Sequence, residues 1–595
     1  MIMGGILGCV LRGPGNGAGV LEQMFEAMPT QSAASPWRYR NATIGGAAPF
    51  WNEHQDVGIW LHGELFPDPA EINELRARGH KLAPGDGSYL PHLYEEAGPS
   101  FFERLNGRFS GVLADLRNET ITVFNDRFGL GRIYFVENES GFYFSSAAKS
   151  LLRIFPETRQ FDERGVAELS VCGCALQNRT LYRGISVLPN AAKWTFSARG
   201  VVRKETYFKP SEWEEQTTLD EEEYYHALQD TFAAVLPRYT SASQAIGMSL
   251  TGGLDGRMIM AWAKPKPGAL PCYTFGGTYR ESTDVATARR VARACQQTHS
   301  SILIGPEFLA LFPRLAEEAI LVSDGAIDVT GSVEIFANRK AREIAPVRLT
   351  GSYGSEVLRG NIAFKPQPLS DKLFTDEFMR LGQDAAATYT EEAKVPRQSF
   401  IAFKQVPWHH QARLVVEESE IGIRTPFLDN ALVRLTFRAP EPLLTSSALS
   451  MRLIREGNPE LAEIQTDRGA RYPASFLDKI RAAFEQFRFK AEYVYDYGMP
   501  QWLAKLDHAI ARLRLEKLFL GRHKFYHFRV WYRDALAPYV KEMLLDGQTR
   551  QSPFLRGNRL EQMVKDHTTG VANYTSEITQ LLSLELIQRQ LLTNN

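Results

Sequence analysis

The stretch IGMSLTGGLDGRMIMAW, residues 246–262, decides how the rest of this chain is read. Ile246, Met248 and Leu250 alternate as in a buried strand, a glycine-rich turn follows, and an apolar helix begins near Arg257. Gly252, Gly253 and Gly256 let backbone pass close to a ligand and adopt angles that a side chain forbids. The free N–H groups and dipole of the helix point back at the turn, which makes an anion site. Asp255 sits inside that turn. A carboxylate beside a phosphate cradle makes sense when a divalent cation bridges the two. The spacing is not that of the GxxxxGK loop of kinases and GTPases. An ordinary strand-to-helix turn, with no ligand, accounts for the glycines equally well.

Outward from that turn, the 595 residues are enough for two or more domains, and 44% hydrophobic with 23% charged residues is an ordinary globular composition. A net charge of −1 argues against bulk attraction to nucleic acid or a membrane surface. No apolar run reaches the length of a membrane span. The opening MIMGGILGCVL lacks a basic flank and a cleavage pattern and reads as a first strand. Five cysteines, with Cys172 and Cys174 as a lone CxC, do not make a zinc site, and a cytoplasmic home is expected.

Residues 1–208 carry short alternating runs such as GVLADLR, TITVFND and GFYFSS, which predict strands in hairpins in an all-β or layered α/β domain. The acidic stretch 209–223 reads as a linker. From 224 the period changes: Tyr225, Leu228, Phe232 and Val235 share one helical face. Strand-like runs at 246–250, 272–275, 301–304 and 347–350 then alternate with helices, which implies a parallel sheet with ligands at the carboxyl ends of its strands. Beyond about 370 the pattern is mostly helical.

A second loop, LTGSYGSEVLRG at 349–360, repeats the logic of the first, with Gly351 and Gly354 in the turn and Glu356 opening a helix. Thr251–Gly256 resembles the SGGxDS pyrophosphate loop of ATP pyrophosphatases. Thr251–Arg257, CYTFGGTYRESTDVATARRVA, SDGAIDVTGS, LTGSYGSEVLRG and IGIRTPFLDNALV are similar, in this order, to the successive segments of asparagine synthetases. WLHGELF, GDGSYL and FNDRFGLGRIYF resemble the same family's glutaminase domain. The chain is thus identified as a divergent member of the asparagine synthetase family. The resemblance implies an α/β protein: an N-terminal Ntn-hydrolase-like α/β/β/α domain over 1–208, and a parallel-sheet ATP pyrophosphatase domain with a helical extension over 224–595.

It implies ATP and Mg²⁺ as cofactors. Leu250, Thr251, Gly252, Gly253, Leu254, Gly256, Arg257, Phe275, Thr350, Gly351 and Ser352 are then expected to border ATP and its pyrophosphate. Asp255 and Glu356 are expected on magnesium, Arg452 to stand in for the family's pyrophosphate lysine, and Asp324 and Tyr353 to meet the substrate. Helix capping is an equal alternative for Asp324. The departures from the family are pointed. Gly4 stands where the glutaminase cysteine belongs, His62 replaces the oxyanion asparagine beside Gly63, and Asp86 keeps the glutamine-binding position. Cys9 lies inside the following strand without a free amine as its base. Ser355 and Ser352 replace an aspartate and a glutamate of the second loop.

The expected function is an ATP-dependent, AMP-forming ligase, inactive towards glutamine, that adenylates a small-molecule, peptide or glycan carboxylate and joins it to another amine. β-Lactam synthetase and the lasso-peptide macrolactam synthetases share the missing cysteine. The competing reading is a degenerate relative that binds a nucleotide or partner without turnover. A homodimer is possible in either case. His409-His410 reads as a packed or solvated pair, Lys524–Asp534 as a core helix, and His567 as a residue near the cap of the last helix.

Overall fold

The computed structural model of the chain describes residues 5–13, 17–28, 35–82, 87–197, 202–467, 476–497, 520–546 and 552–593, with a few isolated positions between them. The alternating runs of the first 208 residues form two six-stranded antiparallel sheets. One has the order Ser186–Val187, Tyr134–Asn138, Gly141–Ser145, Ile6–Leu11, Ala42–Gly46, Trp37–Tyr39. The other runs Val202–Thr206, Ala192–Ser197, Thr120–Asn125, Gly107–Asp115, Val57–Leu65, Phe50–Trp51. Alternation decides the layering. Trp194 and Phe196 of AKWTFS turn inward beside Phe142, whose ring lies 4.7 Å from that of Phe196. On the strand Ile6–Leu11, Ile6 and Val10 face the other sheet, while Leu7 and Cys9 face the helices Gly17–Glu26 and Ala148–Ile154. Helix Leu90–Ala97 covers the second sheet. The four layers are α/β/β/α, as expected.

The segment expected to be a linker is packed. It holds a helical turn, Ser211–Glu214, and Trp213 is buried among the rings of Phe208, Phe403 and Phe437 at 4.7–5.7 Å. Asp220 then closes a capping box on helix Glu221–Thr240, which buries Tyr225, Leu228, Phe232 and Val235.

The second sheet system is parallel, with strands His299–Ile304, Cys272–Gly277, Ile246–Ser249, Val347–Thr350 and Gly422–Arg424 in that spatial order. From Ile246–Ser249 the chain builds outward on one side and then crosses to Val347–Thr350 on the other. The two loops singled out in the sequence therefore leave adjacent strands at the switch point, where open α/β sheets hold their ligands. The last helix, Thr575–Ile587, buries Ile578, Leu581, Leu582 and Leu586. The Phe528–Arg533 helix buries Trp531 and Tyr532, and His567 accepts the N–H of Tyr574 at 2.9 Å. No helix among the described residues is long and apolar enough to cross a membrane.

The domains share a core, since one apolar cluster runs from Val57 and Phe124 to Phe232 and Ile464. Polar contacts pin the seam. Asn106 donates to Asp429 at 2.8 Å, Asn430 N–H donates to Asn106 at 2.9 Å, and Arg424 meets Glu64 at 2.6 Å.

Candidate active site

Leu250 is buried at the strand end; its N–H donates to Tyr273 at 2.9 Å and its carbonyl accepts the Thr274 hydroxyl at 2.8 Å. Its side chain packs beneath the turn, 3.4 Å from where a Cβ on Gly256 would stand. Thr251 is exposed and its hydroxyl accepts the N–H of Gly253 at 3.3 Å. The N–H of Gly252 donates to Asp284 at 2.7 Å, and its carbonyl accepts from Arg257 and from the N–H of Asp467, both at 3.2 Å. A Cβ on Gly252 would stand 2.5 Å from that of Asp467, so glycine is needed for that close passage. Leu254 packs against the main core, and Asp255 and Gly256 open helix Asp255–Ala263.

The second loop is pressed onto the first. A Cβ on Gly351 would collide with the amide nitrogen of Gly256, and one on Gly354 would lie 2.6 Å from the Asp255 carboxyl carbon. The Thr350 and Ser352 hydroxyls meet at 3.0 Å, and Thr425 donates to the Ser352 carbonyl at 2.7 Å. Tyr353 takes a left-handed φ of 71° to start helix Gly354–Arg359, a strained conformation for an aromatic residue that only the surrounding packing sustains. From the end of that helix Arg359 returns to Asp255. Its Nη2 donates to Oδ2 at 2.9 Å, its Nη1 lies 2.8 Å from Oδ1, and Nη1 also reaches Ser450 at 3.1 Å. Burial pushes the Asp255 carboxyl above its usual range, and Arg359 pulls against that. Glu356 accepts the Ser355 hydroxyl at 2.8 Å.

Behind Tyr353 lies a charged network that the sequence reading did not single out. Arg413 meets Glu334 at 2.6 Å and Glu417 at 3.3 Å; Arg348 lies 3.4 Å from Glu417 and donates to the Asn338 side-chain Oδ1 at 3.0 Å. The two glutamates are buried, yet 55% of the Arg413 side chain remains accessible. Burial raises the pKa of Glu334, whereas Arg348 and Arg413 hold Glu417 low in spite of burial. His410 stands edge-on to the Tyr353 ring at 5.3 Å, with burial bringing its pKa down to about 4. His409 stacks on Phe364 at 4.8 Å and is lowered to about 3 by burial. The pair is packed and neutral. The charged residues come from helices Gly331–Arg342 and Gln411–Glu418 and strand Val347–Thr350, and the two histidines from the helical segment Ile401–His410.

Several expected site residues are placed elsewhere. Arg257 is 1% exposed and donates to the carbonyls of Leu461, Ile464 and Gly252; it braces the loop from beneath. Burial lowers its pKa to about 10. Arg452 pairs with Glu222 at 2.7 and 2.9 Å and with Glu456, and lies 3.7 Å over the Tyr225 ring, so its charge is spent on helix–helix contacts. Asp324 accepts the N–H groups of Ala148 and Lys149 at 2.8 and 3.2 Å. It caps a helix of the other domain, a variant of the capping alternative rather than a substrate contact. Phe275 is covered by Arg348, 5.2 Å away, and faces Phe525.

In the N-terminal domain, Gly63 has φ 118° and a Cβ there would collide with the Arg108 carbonyl, while His62 pairs in register with Ser110. Gly4 and Asp86 lie outside the described residues. Cys9 is fully buried and burial lifts its thiol to about 11, which leaves it inert.

As arranged, the two carboxylates expected on magnesium do not fit it. Both oxygens of Asp255 face a guanidinium, and Glu356 is turned to Ser355. Arg359 instead supplies fixed positive charge at that point. Open space for an anion remains at Gly253, where an added Cβ would meet nothing nearer than the Thr251 hydroxyl at 3.4 Å.

A family profile described as the glutamine amidotransferase domain matches residues 40–208, and one described as asparagine synthase matches residues 227–415. The two segments flank the packed turn around Trp213, and the second takes in both loops. The chain belongs to the asparagine synthetase family. Among members of this family, glutamine-hydrolysing asparagine synthetase 1 of Bacillus subtilis (strain 168) is 22% identical over 331 residues, 55% of this chain and 51% of that protein. Glutamine-hydrolysing asparagine synthetase 2 of Arabidopsis thaliana is 23% identical over 350 residues, 56% and 54% of the two chains. The enzyme of Triphysaria versicolor is 38% identical over 92 residues, 15% of each. The chain thus matches about half the length of the first two family relatives. A solved amidotransferase, glutamine phosphoribosylpyrophosphate amidotransferase from B. subtilis, covers 50% of this asparagine synthetase family member at 10% identity and a TM-score of 0.25, too low to bear on its fold.

Proposed function

We propose that this asparagine synthetase family member is an ATP-dependent, AMP-forming carbon–nitrogen ligase. It adenylates a carboxylate and joins the acyl group to an amine that does not come from glutamine. One observation carries the reading: loops 251–256 and 351–356 meet at the switch point, with Arg359, Glu356 and the accessible Arg413 gathered around Asp255 and Tyr353. ATP supplies the activation, since a carboxylate has no leaving group other than oxide until its oxygen is esterified to AMP.

The chain's own residues then do the binding. The helix N-terminus at Asp255 and the Arg359 guanidinium counter the negative charge of a departing pyrophosphate. Asp255 fixes Arg359 in place. Arg413 attracts the substrate carboxylate from the solvent side, and the incoming amine yields its proton to Glu356. Independence of glutamine is supported by Gly4 at the position of the cysteine and by the buried, protonated thiol of Cys9. A small molecule, a peptide or a glycan acid can serve as the carboxylate. A magnesium ion, which escorts ATP in solution, would enter with the nucleotide and not on a preformed carboxylate pair.

Substrate-dependent exchange of labelled pyrophosphate into ATP tests the proposal. Exchange with one member of a panel of aspartate, peptides and uronic acids is expected, with no glutamate released from glutamine. No exchange with any of them would sink it. A second reading, a nucleotide- or partner-binding scaffold, is favoured by the Asp255–Arg359 pair and by the Gly252 N–H already bonded to Asp284. Under it, calorimetry would record ATP binding without AMP release, or no binding.

A further inference from the structure

The outer face of the N-terminal domain gathers four side chains that neither the fold nor the ligase reading uses. Glu53 lies in the turn after strand Phe50–Trp51, His80 follows helix Pro69–Ala77, and His92 and Glu95 are three residues apart on helix Leu90–Ala97. One nitrogen or oxygen of each falls within 4.8 Å of those of the other three. The i, i+3 spacing puts His92 and Glu95 on one helical face.

What marks this as a built site is the state of His92. Only 3% exposed, its Nδ1 has no hydrogen bond, yet it lies 3.5 Å from Glu53 Oε2 and 3.5 Å from Glu95 Oε2. A charged imidazole bonded to either carboxylate would close to about 2.8 Å. Ligands bound at about 2.0–2.1 Å around a tetrahedral ion stand about 3.3–3.4 Å apart, close to the separation seen.

The outer atoms are held as a coordination shell requires. Glu95 Oε1 accepts from Asn52 at 2.8 Å and lies 3.7 Å from Arg117. Glu53 Oε1 accepts the N–H of Lys81 at 3.3 Å. His80 Nε2 is 2.9 Å from Glu96, which Arg78 holds in turn. With Nε2 donating to that carboxylate, the His80 lone pair rests on Nδ1, the arrangement by which a carboxylate fixes a ligating histidine. In each carboxylate one oxygen is tied to the protein and the other faces His92.

We propose that Glu53, His80, His92 and Glu95 bind one divalent first-row transition ion, of which Zn²⁺ is the probe, as a structural staple. Two imidazoles and two carboxylates suit such an ion better than Mg²⁺ or Ca²⁺, which take all-oxygen shells. The ion would tie the turn at Glu53 and the chain at His80 to helix Leu90–Ala97, bracing the layer outside the second sheet. The site is independent of the loops at Asp255.

The test uses the full-length chain stripped with chelator and titrated with Zn²⁺ against a competing chromophoric chelator, in excess Mg²⁺ and ATP. One equivalent is expected, with Co²⁺ giving the intense visible bands of a four-coordinate site and the melting temperature rising on loading. Glu53→Gln and His80→Gln lie on the accessible side and should each weaken Zn²⁺ binding at least about a hundredfold; the exposed His226→Ala should leave it unchanged. His92→Ala should abolish binding where it folds, and the two accessible variants decide the matter where it does not. Absence of a stoichiometric site, or equal affinity in the wild type and the Glu53 and His80 variants, overturns the proposal.

Discussion

The seam between the domains and the paired loops around Asp255 and Tyr353 use the same residue types to opposite ends. At the seam, polar groups are consumed in fixed pairs: Asp429 takes Asn106, Tyr239 and the N–H of Ala431, and Asp324 takes the helix start at Ala148. Behind Tyr353, charges crowd together with one of them still open to solvent, as Arg413 shows against Glu334 and Glu417. A paired, dry carboxylate holds a fold; an accessible cluster whose members push each other's pKa values apart is equipped for chemistry. The N-terminal domain shares an apolar cluster with the other domain across that seam.

The sharpest way to break that contrast is Asp255→Asn. If the loop site is chemical, pyrophosphate exchange should fall by about 10²–10³-fold with the melting temperature little changed. Equal function in the organism with and without the carboxylate would favour a scaffold. At the seam the expected effect is on stability. Asp429→Ala strands Asn106 and Tyr239 and should cost about 3 kcal/mol in urea unfolding, without altering exchange per folded molecule. Asp324→Ala should cost about 1–3 kcal/mol by leaving the N–H groups of Ala148 and Lys149 unbonded, with an unchanged KM for the carboxylate. A raised KM with unchanged stability would restore Asp324 as a substrate residue.

Acid separates the regions less strongly. His409 and His567, with folded pKa values of about 3, and His410, at about 4, are all depressed from 6.5 by burial. The unfolded chain therefore binds protons that the folded one refuses. Stability is full above pH 6.5 and is lost as pH falls from there towards those folded values, by up to about 1.4 kcal/mol per pH unit for each histidine. Urea midpoints measured from pH 7.5 to 5 should trace this, and His567→Gln should reduce the slope by one proton. The smallest effect is expected of Arg452→Ala, whose exposed pairing with Glu222 should leave exchange within about threefold of wild type.

Much of the architecture was legible beforehand because periodicity is a local property. The runs at 246–250, 272–275 and 347–350 became strands, and the alternating N-terminal runs became the sandwich. Glycine spacing likewise marked both loops. Arg359 stood in view three residues after Glu356, on the same face of a short helix, but nothing local said that it would fold back on Asp255. Arg257 was misread for the complementary reason. Its position at the helix start suited a phosphate, while the carbonyls that claim it belong to residues 461 and 464. The linker reading of 209–223 weighed the acidic side chains and missed Trp213, whose aromatic partners lie up to 224 residues downstream.

By itself the sequence determined the strands and helices and the two glycine turns, because each depends on residues close together in the chain. Only the tertiary structure decided where the charges went. Whether Asp255 meets an ion or Arg359, whether Asp324 meets a ligand or a helix end, and whether His92 faces carboxylates or solvent depends on which distant segments converge. Electrostatic energy falls with distance in space, and separation along the chain does not enter it.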